Sequence, residues 1–166
     1  MAAAAIKAKI VDAEVAAKAT QSMATLNAKS SQLMQEIGVH ACTDVTGFGL
    51  IGHTVEMAQN SRICVNLSFS DVPLLPKVED LAQQACSPGG AYRNNKFYSG
   101  AVTLSDRMPF YMQDILYDPQ TSGGLLISLA PTKAKRLLQQ LQQAGVEYAT
   151  IIGEVVHGPK GTIILN

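Results

Sequence analysis

Apolar residues in this chain repeat with two periods, and the alternation between them lays out a series of helices and strands. From Val11 to Ile37 the residues Val11, Val15, Ala19, Met23, Leu26, Leu33 and Ile37 recur mostly at steps of three and four. That period predicts one long amphipathic helix or two in succession. Gly38 supplies a stop, His40 to Val45 reads as a short strand, and a glycine-rich turn then leads into a second helix through Leu50, Ile51, Val55 and Met57. Ile63 to Phe69 alternates, with Val65, Leu67 and Phe69 on one side and Cys64, Asn66 and Ser68 on the other, which predicts a half-buried strand ended by Pro73 and Pro76. Helical spacing returns over Lys77 to Cys86.

Ser87 to Arg107 loses all periodicity around Pro88, Gly89, Gly90 and Gly100 and reads as a long irregular segment, the kind a compact domain keeps for function. A short helix follows near Pro109 to Leu116. Asp118 to Gly124 then forms a turn into an apolar strand, Leu125 to Leu129. Lys133 to Ala144, with Leu137, Leu138 and Leu141 on one face and Gly145 behind it, predicts a firm helix. Ala149 to Val156 and Thr162 to Leu165, joined by a Gly/Pro turn, predict a terminal hairpin. This order indicates an α/β or α+β domain, one mixed sheet with helices packed on it.

At 166 residues and 47% apolar composition the chain is sized for one domain, residues 1–166, with a sizeable core. Its 13 basic and 13 acidic residues balance, and no basic stripe is present, which argues against a nucleic-acid surface or a polybasic membrane patch. Three widely spaced cysteines fit neither a disulfide framework nor paired CxxC zinc ligands, so a cytoplasmic setting is expected. MAAAAIKAKI has no secretory cleavage pattern. It reads as a helix that starts uncapped, and so as the continuation of something upstream.

The chemistry concentrates in three places. Gly47, Gly49 and Gly52 form a G-x-G-x-x-G turn between a strand and a helix, where free backbone N–H groups and the positive helix end receive anions. A dinucleotide site would use these glycines with Asp71, about 20 residues on, as its ribose-binding acid. Asp44 opposes that reading, because a carboxylate beside a phosphate cradle repels its ligand unless a divalent cation stands between them. Hard Mg²⁺ is commonly held by one or two carboxylates plus substrate phosphates. On residues alone a third reading also stands, in which Asp44 and Thr46 cap the helix and the glycines allow tight packing.

Asp118, Thr121, Ser122, Gly123 and Gly124 offer a second carboxylate, hydroxyls and a glycine pair, either as an anion-receiving nest or as an Asx turn. Arg93, beside Asn94 in the third cluster, can fork onto phosphate oxygens or stand solvated. His40, His53 and His157 share no ligand spacing and are assigned structural roles. Cys42, on the strand side of Asp44, is read as a packed small side chain.

Taken in order, TDVTGFGLIGH (Thr43 to His53), PGGAYRN (Pro88 to Asn94) and DPQTSGGLL (Asp118 to Leu126) resemble the signature segments of the C-terminal half of selenophosphate synthetases, the selenide, water dikinases. SMATLN (Ser22 to Asn27) and GVHACTDV (Gly38 to Val45) are similar to what that family carries upstream, and the resemblance covers nearly the whole chain from Ile6. It implies an enzyme that turns selenide, ATP and water into selenophosphate, AMP and phosphate, in the superfamily of aminoimidazole ribonucleotide synthetase. It also implies a three-layer α/β/α C-terminal domain that closes over ATP bound to an N-terminal domain in a homodimer. The family's metal-binding aspartate maps onto Asp44 as a Mg²⁺ ligand. Thr46, Gly47, Gly49, Arg93, Asn94, Asp118, Thr121, Ser122 and Gly123 are the expected lining of the nucleotide and phosphate cleft. The family's nucleophile and phosphate-cradling portion has no counterpart in this sequence, so no catalytic residue is assigned and the isolated chain is expected to be inactive. A dinucleotide-binding oxidoreductase domain and a non-catalytic interaction module are the competing readings.

Overall fold

The computed structural model describes all residues, 1–166. Helix α1 (Ala2–Lys7) is followed by α2 (Ala13–Ala24), capped by the Asp12 carboxylate accepting from the Val15 N–H at 2.8 Å, and α3 (Ala28–Ile37). Two helices therefore stand where the period allowed one or two. The break falls at Thr25, whose extended backbone (φ −72°, ψ 122°) turns the chain before Asn27.

Strand β1 (Ala41–Asp44) runs into the glycine turn and α4 (Gly49–Ser61), then β2 (Cys64–Leu67) and a 3-10 turn, Phe69–Asp71. Helix α5 (Val78–Gln83) leads to α6 (Gly89–Tyr98), a 3-10 turn at Ser99–Ala101, β3 (Val102–Leu104) and α7 (Phe110–Leu116). Strand β4 (Leu125–Ser128), α8 (Pro131–Gln143), β5 (Gly153–Val156) and β6 (Thr162–Leu165) complete the chain.

The α/β class is as the sequence predicts, but there are two sheets rather than one. β1 and β4 form an antiparallel ribbon, with Ala41 opposite Ser128 and Asp44 opposite Leu125. The second sheet has the order β3-β6-β2-β5, in which β6 pairs parallel with both β3 and β2 while β5 pairs antiparallel with β2. The expected terminal hairpin does not form, because β5 and β6 lie on opposite sides of β2. Cys64 occupies the space between them: its side chain is buried against the Gly158 turn, which also makes β2 more covered than its alternation suggested.

Helix α4 is the axis of the molecule. It contacts β1 of the ribbon and β2 and β6 of the sheet, as well as α6 and α7. A helix enclosed on several sides is apolar around much of its circumference, and α4 buries Ile51, Val55 and Ala58 completely together with His53 and Thr54. On the other side of the ribbon, α3 packs against β4 and α8, and Lys133 Nζ donates to the carbonyls of Ile37 and Gly38 at 2.9 and 3.3 Å, closing the end of α3. No helix is long and apolar enough to cross a membrane.

The segment expected to be irregular, Ser87 to Arg107, contains α6 and β3. Its glycines hide a helix that tertiary contacts hold together. Ala91 and Tyr98 are buried, and a Cβ at Gly90 would strike the Pro119 ring, so only glycine lets α6 approach the Asp118 turn this closely.

Candidate functional site

The three signature segments meet at the open end of the β1–β4 ribbon. Past Asp44 the pairing continues irregularly: the Val45 N–H donates to the Gly124 carbonyl at 2.9 Å, and the Gly123 N–H returns to the Val45 carbonyl at 3.0 Å. The Thr46 carbonyl accepts from the N–H of Gly49 at 3.0 Å and of Gln120 at 2.9 Å. Gly49 has φ +71°, and a Cβ there would lie 2.8 Å from the Tyr117 carbonyl carbon and oxygen. The left-handed conformation and the close approach both require glycine. Asn94 joins the third segment, its amide donating to the carbonyls of Gly47 and Tyr117, each at 3.0 Å. Asn27, from the break between α2 and α3, donates to the Gly123 carbonyl at 3.0 Å.

The expected site residues thus come together as backbone, while their side chains divide. Asp44 is exposed and forms no ion pair. Gly47, Arg93 and Thr121 are also exposed, and Thr46 and Ser122 are half-buried. The Asn94 amide is spent on holding two turns together. Asp118 is 6% exposed: its Oδ2 receives the Met1 ammonium group and the Gln120 side-chain amide, while its Oδ1 has no protein partner. Burial raises the Asp118 pKa, an effect that the Met1 ammonium and the Gln120 amide oppose. The Asp118 carboxylate therefore faces inward, whereas the sequence reading counted it in the lining of the nucleotide and phosphate cleft. Its segment meets the glycine turn through main-chain groups.

Between β1 and α4 lies a concavity of about 260 Å³ lined by Ala41, Cys42, Thr43, His53, Glu56, Met57, Asn60 and Ser61, and not by Asp44. Cys42 is exposed rather than packed as expected, and partial desolvation, followed by the Asp44 charge, raises its thiol pKa. Two residues here were not singled out for the site. His53 is 7% exposed, with Nε2 3.2 Å from Thr46 Oγ1 and Nδ1 3.5 Å from Glu56 Oε2. Gln120 joins the two turns through its backbone and steadies Asp118 through its side chain. The seven-residue interval from Thr46 to His53, one and a half helical turns into α4, was a usable signal for the first contact. Nothing in the local sequence marks Gln120.

Topology removes the dinucleotide reading. A dinucleotide fold needs the strand before the glycine turn and the strand after its helix side by side and parallel. Here β1 and β2 belong to different sheets, and β1 has only an antiparallel neighbour. No group of three or more His, Cys, Asp or Glu side chains is arranged to hold a metal ion. Asp44 has no cluster of other His, Cys, Asp or Glu side chains around it with which to hold a cation.

The family model for the C-terminal domain of AIR synthase related proteins matches residues 2–166. The chain belongs to that family. It is 39% identical over 162 residues to the selenide, water dikinase of Pelobacter propionicus, covering 98% of this chain and 47% of that protein. It is 41% identical over 151 residues to the selenide, water dikinase of Caldanaerobacter subterraneus subsp. tengcongensis, covering 91% of this chain and 44% of that one. A third enzyme of the same name, from Citrifermentans bemidjiense, is 43% identical over 151 residues, covering 91% and 43%. The chain spans about half the length of the curated relatives it matches, and the resemblance read from the three motifs is borne out.

Proposed function

We propose that this chain is the C-terminal domain of a selenide, water dikinase and forms one wall of its Mg²⁺-ATP site. The observation that carries the reading is the convergence of the three signature segments on the turn behind Asp44, which leaves one unpaired carboxylate exposed next to an anion-receptive glycine bend. Oxygen donors suit Mg²⁺, which keeps waters and shares phosphate oxygens rather than filling an all-protein cage. One protein carboxylate with a nearby hydroxyl fits that habit. When bound, the ion supplies charge neutralisation at the phosphates.

In this reading Asp44 contacts the metal, while Thr46, Gly47, Arg93, Thr121 and Ser122 face the phosphates and Gly49, buried against Tyr117 with its N–H on Thr46, locks the bend behind them. Asn94, Asp118 and Gly123 hold the turns in register. The remaining ligands and the nucleophile belong to a portion of the enzyme outside this sequence. Phe48, Tyr92 and Phe97 stand exposed on and beside α4 and α6, which supports a face covered by that portion. Homodimeric assembly and a cytoplasmic location are part of the same proposal. The 166-residue chain alone is expected to give no selenide-dependent AMP.

The test is Asp44→Asn in the complete enzyme that carries this domain, with selenide-dependent AMP formation as the readout. Activity is expected to fall at least about a hundredfold, an effect of the size seen when a transition-state charge stabiliser is removed. The thermal midpoint should stay put, because Asp44 is exposed and unpaired. Near-normal turnover would take Asp44 out of the mechanism.

A further inference from the structure

The two turns of the site use their backbone groups unequally. In Thr46-Gly47-Phe48 the Gly47 carbonyl accepts from the Asn94 side chain, whereas the N–H groups of all three residues have no acceptor in the chain. In Thr121-Ser122-Gly123-Gly124 the Gly123 carbonyl accepts from the Asn27 side chain and the Gly124 carbonyl from the Val45 N–H. The Gly123 N–H returns to Val45, while the N–H groups of Thr121, Ser122 and Gly124 have no acceptor. The glycine carbonyls are thus taken by the protein, and most of the N–H groups are free.

Two of those carbonyls are held by side chains from distant elements. Asn27 immediately precedes α3, where an asparagine oxygen commonly accepts from the first turn of its helix. It makes no such cap: its amide nitrogen lies 3.0 Å from the Gly123 carbonyl, 96 residues on. Asn94, within α6, reaches the carbonyls of Gly47 and Tyr117 at 3.0 Å each. A carbonyl only accepts, so the group that faces it is in each case the amide nitrogen. Both asparagines are half-buried.

Planarity carries the effect of these contacts across the turn. Every peptide bond in the chain is trans, so the C=O and N–H of one plane point in opposite directions. The Gly123 carbonyl shares its plane with the Gly124 N–H, and the Gly47 carbonyl shares its plane with the Phe48 N–H. An asparagine that fixes the oxygen therefore aims the free hydrogen of the same plane away from itself. It also occupies a partial negative charge that would repel an anion received by the neighbouring N–H groups. Gly124 and Phe48 are both exposed.

We propose that Asn27 and Asn94 are paired positioning residues, each holding one glycine carbonyl so that the N–H of the same peptide plane, Gly124 in one turn and Phe48 in the other, is presented to a phosphate oxygen. The inference rests on the reading of these turns as the phosphate-facing wall. It adds to that wall the break between α2 and α3, where no site residue was expected.

The test is a titration of this chain with magnesium tripolyphosphate, followed by backbone amide ¹H and ¹⁵N shifts. In the unsubstituted chain Gly124 and Phe48 are expected to respond first, with Gly47, Thr121 and Ser122 beside them. Asn27→Leu keeps the size of the side chain and removes its donor. It should weaken binding about tenfold, the worth of one hydrogen bond to a charged group, and abolish the Gly124 response while that of Phe48 persists. Asn94→Leu should abolish the Phe48 response and spare that of Gly124. Unchanged affinity and an unchanged Gly124 response in Asn27→Leu would overturn the proposal and leave the phosphate-facing reading in place. Equal loss of both responses in each variant would overturn it too, because it marks a general loosening of the fold. No response at these amides in the unsubstituted chain would remove the reading and the proposal together. Should a leucine variant fail to fold, alanine at the same position removes the donor without added bulk, and the same comparison of Gly124 with Phe48 decides.

Discussion

In the four-stranded sheet, the inner strands β2 and β6 present Leu67, Ile163 and Leu165 to the core with no more than 1% exposure, whereas no residue of the β1–β4 ribbon is fully buried. Apolar burial, at roughly 25 cal/mol per Å², therefore holds the sheet but can only partly hold the ribbon. At its functional end the ribbon relies on backbone hydrogen bonds among Val45, Thr46, Gly123, Gly124 and Gln120, and on two asparagine amides. The sheet tolerates exchange among residues of similar volume. The ribbon end requires particular residue types, because a carbonyl within hydrogen-bonding reach leaves no room for repacking. Stability and site geometry are thus assigned to different parts of one small domain, joined through α4.

The sharpest way to break this contrast is to make equivalent deletions in the two regions. Ile51→Ala, in the fully buried middle of α4, should cost about 4 kcal/mol in denaturant unfolding. Leu126→Ala, on the half-buried ribbon, should cost about 1 kcal/mol. Equal losses would mean that the ribbon shares the core after all.

Next in size is an alkaline transition at the seam between the regions. Burial pushes the Tyr117 hydroxyl up to about 12, above the ordinary value near 10. A raised folded-state pKa means that its contribution is complete below pH 10 and is lost as pH climbs through about 12. Absorbance titration of tyrosinate should show a late-titrating group that Tyr117→Phe removes, and the variant should lose less stability than the parent between pH 10 and 12.

A modest loss of about 1–2 kcal/mol belongs to Asn94→Ala, for two lost hydrogen bonds to partly covered carbonyls. Its consequence should be local. Amide exchange should quicken at Gly49 and Gln120 while the amides of β2 and β6 keep their protection. Uniform acceleration would show that the turns and the sheet open together.

Much of this was legible in the sequence, for identifiable reasons. Helices α4, α7 and α8 and strands β1, β2 and β4 follow from apolar periodicity and turn chemistry. The three clusters were visible because glycines, carboxylates and hydroxyls in short turns have few structural uses. Helix α6 escaped because its two opening glycines are there for contact with Pro119, a residue 29 positions beyond Gly90. Strand pairing escaped for a related reason. A Gly/Pro turn between two apolar runs signals a hairpin locally, and only the long-range pairing of both runs with β2 overrides it. The inward-facing Asp118 and the contacts of His53 were beyond reach, since orientation and partners depend on which elements pack nearby rather than on adjacent residues.

The interior position of β6 also sets an order in time. The last strand of the domain to be synthesised lies between β3 and β2, about 100 residues after the neighbour it must join. At ribosomal speeds of roughly 5–20 residues per second, β2 waits some seconds for its partner. Through that interval the nascent sheet has an open slot where Ile163 and Leu165 will sit. Until β6 emerges, β2 and β3 lack the strand that joins them and the core face completed by Ile163 and Leu165 stays open.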